Sequence, residues 1–199
     1  GHGIVQVAAQ GGCEVIALES DQAFLDKGLA RVDGSLAKLA AKKVEKGMDQ
    51  AAADAWVKET RARISGTTNR ADVADCDLVI EAIVENLDVK KELFKDLGGI
   101  CKPETVFASN TSSFPIGEMA EASGRPARFV GLHFFNPVQL MALVEVVRTD
   151  DTHGAVFEAA LEFGKACGKR PVSCKDTPGF VVNRLLVPYM VQAIDMLDR

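Results

Sequence analysis

Asp77-Leu78-Val79-Ile80-Glu81-Ala82-Ile83 is an apolar run of strand length, and its sequel sets the architecture: a helical stretch at 89–97, then the β-prone Thr105-Val106-Phe107-Ala108-Ser109. A short apolar run, a helix and a second short run make a β-α-β unit, whose strands lie side by side and parallel. The same alternation continues on either side. Upstream, residues 1–9 are helical with small side chains, Gly11 and Gly12 stop that helix, and Val15-Ile16-Ala17-Leu18 is a strand ending in Glu19. A long helix over 22–46 stopped by Gly47, a second over 50–62, the β-prone Ile64-Ser65-Gly66-Thr67-Thr68 and a helical segment around residue 72 lead back to the opening run. Downstream come a short helix at 116–122, strands at 128–134 and 143–147, a helix over 153–167 and the strand Pro171-Val172-Ser173-Cys174.

This order predicts an α/β fold over residues 1–177, a Rossmann-like, mostly parallel sheet covered by helices, with ligands at the carboxyl ends of the strands. Asp176-Thr177-Pro178-Gly179 reads as a hinge, and residues 178–199 as the start of an all-α C-terminal domain with a kink at Pro188. No strand precedes the first helix and the last helical pattern runs on without a cap. The chain is therefore expected to begin mid-fold, without a strand before its first helix, and to stop inside a helical pattern.

Composition narrows the function classes. A chain of 199 residues with 47% hydrophobic content can bury a substantial core, and a net charge of −5 argues against nucleic acid as a partner. Five cysteines lie scattered without C-x-x-C pairs, which indicates neither zinc nor a disulfide framework and fits a reducing compartment. No apolar run approaches the roughly 20 residues of a membrane-spanning helix.

Of three histidines, only His133, in Gly131-Leu132-His133-Phe134-Phe135-Asn136-Pro137, stands in an apolar run, and Glu145 comes twelve positions later. An imidazole held by a carboxylate through one nitrogen can take a proton with the other, whereas a core histidine satisfied by backbone would look the same from spacing alone. Metal binding is not indicated, because too few further ligands lie near this pair. Ser109-Asn110-Thr111-Ser112-Ser113 can hold a carbonyl oxygen or simply cap a helix. Glu81 and Glu85 at a strand end read as a solvated rim, and Asn183 as a buried amide that could bridge His133 or a substrate oxygen. Glu19 stands where the acid of a dinucleotide site would bind ribose hydroxyls if Gly1 is the third glycine of G-x-G-x-x-G; packing glycines are the alternative.

Ser109-Asn110-Thr111-Ser112-Ser113, Gly131-Leu132-His133-Phe134-Phe135-Asn136-Pro137, Leu143-Val144-Glu145-Val146 and Lys175-Asp176-Thr177-Pro178-Gly179-Phe180-Val181-Val182-Asn183-Arg184 together resemble the L-3-hydroxyacyl-CoA dehydrogenase family, in the wording of its mitochondrial short-chain type. The resemblance implies NAD as cofactor and oxidation of a 3-hydroxyacyl-CoA to the 3-ketoacyl-CoA in fatty acid β-oxidation. By motif, His133 would be the base, Glu145 its holder, and Ser112 and Asn183 the groups that position the substrate oxygen and the histidine. Gly1, Glu19, Glu85, Lys90 and Asn136 would line the cofactor, and Ser35 and Lys42 on the long helix would meet CoA. It further implies a homodimer formed through the helical domain and a mitochondrial matrix location, with the cytoplasm as the alternative. Two rival readings stay open: a catalytically silent, crystallin-like member that binds nucleotide, and a related dehydrogenase of a hydroxyacid without CoA.

Overall fold

A computed structural model describes residues 1–199. In chain order the elements are α1 (His2–Gln10), β1 (Val15–Leu18), α2 (Gln22–Glu45), α3 (Gln50–Ala62), β2 (Ile64–Thr67), β3 (Leu78–Glu81), α4 (Leu87–Ile100), β4 (Val106–Ser109), α5 (Ile116–Ala122), β5 (Phe129–Phe134), β6 (Leu143–Arg148), α6 (Gly154–Ala166), β7 (Arg170–Lys175) and α7 (Val182–Leu197). The expected alternation is present, and so are the glycine stops: Gly12 and Gly47 take φ of 92° and 98° just past α1 and α2.

The sheet is in two pieces, β1-β2 and β3-β4-β5-β6-β7. Every pairing is parallel except that of β5 with β6. β1 and β3 are not hydrogen-bonded to each other. All six residues of β5 are buried, and the period of two divides them between the faces of the sheet. Val130, Leu132 and Phe134 enter a cluster with Ile4 and Val7 of α1 and Val156, Phe157 and Ala160 of α6. Phe129 enters the opposite cluster with Phe94 and Leu97 of α4 and Ile116 and Met119 of α5, its ring edge-on to Phe94 at 4.6 Å between centroids. His133 shares the Phe129 face. A third cluster joins Ala9, Val32, Leu36 and Ile64, so the α2–α3 hairpin leans on the domain through α1 and β2.

Among the element ends that differ from the sequence expectation, three have a clear local reason. β3 stops at Glu81 because the Glu81 carboxylate accepts the Ile83 N–H at 2.7 Å and turns the chain. α4 begins at Leu87 because the Asn86 side chain accepts the Val89 N–H, a cap one residue upstream. α7 begins at Val182 because Gly179 and Phe180 both have positive φ, 76° and 49°. Pro188 lies inside α7, which continues to Leu197 with no buried residue although Leu185, Leu186, Val187, Tyr189 and Met190 are apolar and exposed.

Gly131 carries the tightest demand in β5. A Cβ there would stand 2.8 Å from Val147 Cβ and 2.9 Å from Ile116 Cδ1, with no room between β6 and α5. Gly131→Ala should cost about 1–3 kcal/mol through overpacking, measured as a shift in urea unfolding; an unchanged midpoint would mean that the β5–α5 contact is slack.

Candidate active site

The antiparallel register sets His133 directly opposite Glu145. Directly opposed residues project to the same face, so twelve positions of sequence become one cross-strand contact. His133 Nδ1 lies 2.7 Å from Glu145 Oε2, with both residues buried, at 5% and 1% exposure. The other carboxylate oxygen, Oε1, accepts the backbone N–H groups of Val181 at 3.0 Å and Val182 at 2.8 Å, at the start of α7. With both oxygens serving as acceptors, Nδ1 is the donor in this contact, and Nε2 has no hydrogen-bond partner within the chain. The imidazole is flanked by the rings of Phe135 and Phe180 at 4.4 and 5.8 Å between centroids. His133 is therefore a member of a buried histidine–carboxylate pair, not a core histidine satisfied by backbone.

The Ser109–Ser113 stretch is held from below by carboxylates. Glu81 faces Ser109 in register and accepts its hydroxyl at 2.6 Å; Thr111 Oγ1 and the Ser112 N–H donate to Glu85 Oε1 at 2.5 and 3.1 Å. Lys90 joins the two acids, at 2.6 Å to Glu81 and 3.1 Å to Glu85. Hydrogen bonds to Thr111, Ser112 and Lys90 hold the Glu85 carboxyl below the usual range although burial works the other way. The solvated rim expected here exists only at Glu85: Glu81 is 3% exposed, because a Lys90 side chain 1% exposed reaches it from α4. Lys90 therefore stands behind Glu85 with its ammonium committed to the two carboxylates. Asn183 is half-buried rather than buried, and its amide donates to the Ser112 carbonyl at 3.1 Å; no hydrogen bond joins it to His133. Ser112 and Asn136 are exposed at the ends of β4 and β5.

Glu19 is exposed at the end of β1, near the start of α1. A Cβ at Gly1 would meet nothing within 4 Å, whereas at Gly3 it would stand 2.8 Å from Val138 Cβ, so the close helix approach is made by Gly3. Ser35 and Lys42 lie seven residues apart on α2, on one helical face. No hydrogen bond ties them to the His133 cluster. Lys43, next to Lys42 on α2, is stacked over Trp56 at 4.7 Å. Burial pushes the Cys167 and Cys174 thiols up to about 12 and about 11, so neither offers a thiolate. No three His, Cys, Asp or Glu side chains converge as a metal site, and no helix is long and apolar enough to cross a membrane.

Sequence reading missed two anchors of the connector. Asp176 accepts the Ile116 and Gly117 N–H groups, both at 2.9 Å, and so caps α5. Glu145 caps α7 as well as holding His133. An acid in the hinge, two residues before Pro178, was the available signal for the first; the second depends on a long-range contact that spacing cannot show.

Residues 1–177 match the family model described as 3-hydroxyacyl-CoA dehydrogenase, NAD binding domain. The chain is 50% identical over 200 residues to the human mitochondrial hydroxyacyl-coenzyme A dehydrogenase, with all of this chain and 63% of the relative aligned. It is also 50% identical over 194 residues to a probable 3-hydroxybutyryl-CoA dehydrogenase of Deinococcus radiodurans, covering 98% of this chain and 67% of that protein. Among solved structures, the (S)-3-hydroxybutyryl-CoA dehydrogenase of Ralstonia eutropha superimposes with a TM-score of 0.92 at 39% identity, over 100% of this chain and 68% of that one. The chain thus spans a little under two thirds of the human relative and about two thirds of the two bacterial ones.

Replacing Glu145 should act on stability as well as chemistry. Glu145→Ala leaves a buried imidazole and two α7 amides without their acceptor, an expected loss of about 3 kcal/mol in denaturant unfolding. A loss under about 0.5 kcal/mol would mean that the start of α7 does not depend on this carboxylate.

Proposed function

The chain belongs to the 3-hydroxyacyl-CoA dehydrogenase family through its NAD-binding domain, and from that premise we propose that the protein oxidises an L-3-hydroxyacyl-CoA to the 3-ketoacyl-CoA with NAD, as in fatty acid β-oxidation. The observation that carries the reading is the buried His133–Glu145 pair at the carboxyl end of β5, with Nε2 unengaged by any protein group.

His133 Nε2 is the base for the 3-hydroxyl proton. Glu145 keeps the ring oriented and stabilises the imidazolium once the proton arrives, and its own charge is steadied by the α7 amides. Phe135 and Phe180 keep water from the ring's flanks. The Ser112 hydroxyl, which makes no hydrogen bond within the chain, is the donor for the substrate oxygen, and Asn183 fixes the loop that carries it. NAD, when bound, supplies the hydride acceptor. Its fit rests on the chain's own features: Glu19 offers an exposed carboxylate beside the start of α1, suited to ribose hydroxyls and repellent to a 2′-phosphate, while Glu85 and Asn136 are exposed beyond the carboxyl ends of β3 and β5. Gly1 completes the helix start as its N-cap. Lys90 contributes indirectly, by holding Glu85. Ser35 and Lys42 form the CoA-facing edge of α2, and α7 opens the helical region through which two copies associate.

His133→Gln in the full-length protein should lower kcat by about 10² to 10⁴ with NAD affinity nearly unchanged. Turnover near wild type would remove His133 from the role of base. Lys42→Glu should raise KM for the acyl-CoA about tenfold, less at high salt, and abolish competition by free CoA; unchanged competition would move the CoA site elsewhere.

A further inference from the structure

Glu81 has no part in the proposed chemistry, yet it is the most completely engaged carboxylate of the β3–β4 edge. Its side chain is 0% exposed. Oε1 accepts Lys90 Nζ at 2.6 Å and the Ile83 N–H at 2.7 Å, and Oε2 accepts the Ser109 hydroxyl at 2.6 Å. A buried charge without such partners would be expelled or neutralised, so the cluster stands only as a unit.

The bonds run outward from Glu81 by two routes. Through Lys90 they reach Glu85, which accepts the Thr111 hydroxyl and the Ser112 N–H. Through Ser109 Oγ they reach the Thr111 N–H at 3.2 Å. Thr111 Oγ1 in turn accepts the Ser113 and Phe114 N–H groups at 3.4 and 3.1 Å, and the Ser112 carbonyl accepts Asn183 from α7. Both routes converge on the backbone that carries the one hydroxyl the proposed reaction uses. Lys90 brings one positive charge to two carboxylates, so the surplus negative charge rests on Glu85, the half-exposed member.

We infer that Glu81 is a positioning residue: through Lys90–Glu85 and through Ser109 it sets the posture of the Thr111–Ser112 turn and hence the placement of the Ser112 hydroxyl against the substrate oxygen. The placement of substrate rests on the dehydrogenase reading; the hold on the turn does not.

The test separates the two. In the full-length protein without cofactor or substrate, Glu81→Gln should speed amide hydrogen exchange of Thr111, Ser112, Ser113 and Phe114 about tenfold while the β6 amides stay as in wild type. Ser109→Ala, which removes one route and keeps the Glu81–Lys90 ion pair, should accelerate Thr111 by a smaller factor and serves if the first variant folds poorly. Unchanged exchange across this turn in both variants overturns the inference. In turnover, Glu81→Gln should lower kcat about tenfold in the wild-type background and have no further effect in a Ser112→Ala background. Additive losses in the double variant would mean that Glu81 acts elsewhere and overturn the inference. If Ser112→Ala alone keeps wild-type kcat while Glu81→Gln still loosens the turn, the hold by Glu81 stands and the substrate role of Ser112 falls.

Discussion

One carboxylate, Glu145, serves the neighbouring strand and the start of α7 at once. On one oxygen it receives the His133 imidazole from the neighbouring strand; on the other it receives the first amides of α7, thirty-six and thirty-seven residues further on. A buried carboxylate has about four acceptor directions to satisfy, and here helix and imidazole both supply donors. The imidazole and the start of α7 are therefore not independent. The orientation of His133 is referred to the same atoms that start α7, with Phe180, held at positive φ, filling the corner between them.

The connector is secured at both ends of its path. Asp176 ties it to α5, Glu145 ties its last turn to β6, and Asn183 ties α7 to the turn after β4. Each anchor is a side chain meeting backbone, which fixes position more firmly than a pair of flexible side chains would. On the β3–β4 side the arrangement is ionic: Glu81, Lys90 and Glu85 support the same turn from beneath. Such a cluster is poor as a source of net stability, because desolvation offsets the attraction. Its value lies in geometry, since each member has few other places to go.

Much of this is legible residue by residue. The apolar runs at Leu78, Val106 and Phe129 have the length and content of buried strands, the glycines at 12 and 47 suit helix ends, and the isolation of His133 in an apolar run marks it among three histidines. Glu81 is not legible in this way, because burial of an acid depends on a partner, and the partner, Lys90, comes from a helix nine residues on whose direction the sequence does not state. Asn183 escapes for a similar reason: whether an amide is covered depends on what packs over α7, and its partner is a carbonyl of the Ser112 turn.

Local grammar is the part that sequence alone determines: which segments are strands or helices, where they stop, and which residue types are available for acid–base chemistry. Those follow from periodicity, glycine φ and side-chain chemistry over a few neighbours. The resemblance of the motifs then points to a family, and the match over residues 1–177 bears that out. Which groups touch was settled by tertiary packing. The antiparallel turn of β6 against β5, rather than the parallel rule of the rest of the sheet, is what brings Glu145 across from His133. A shift of one residue in that register would send the two side chains to opposite faces, and no reading of spacing alone distinguishes the two cases.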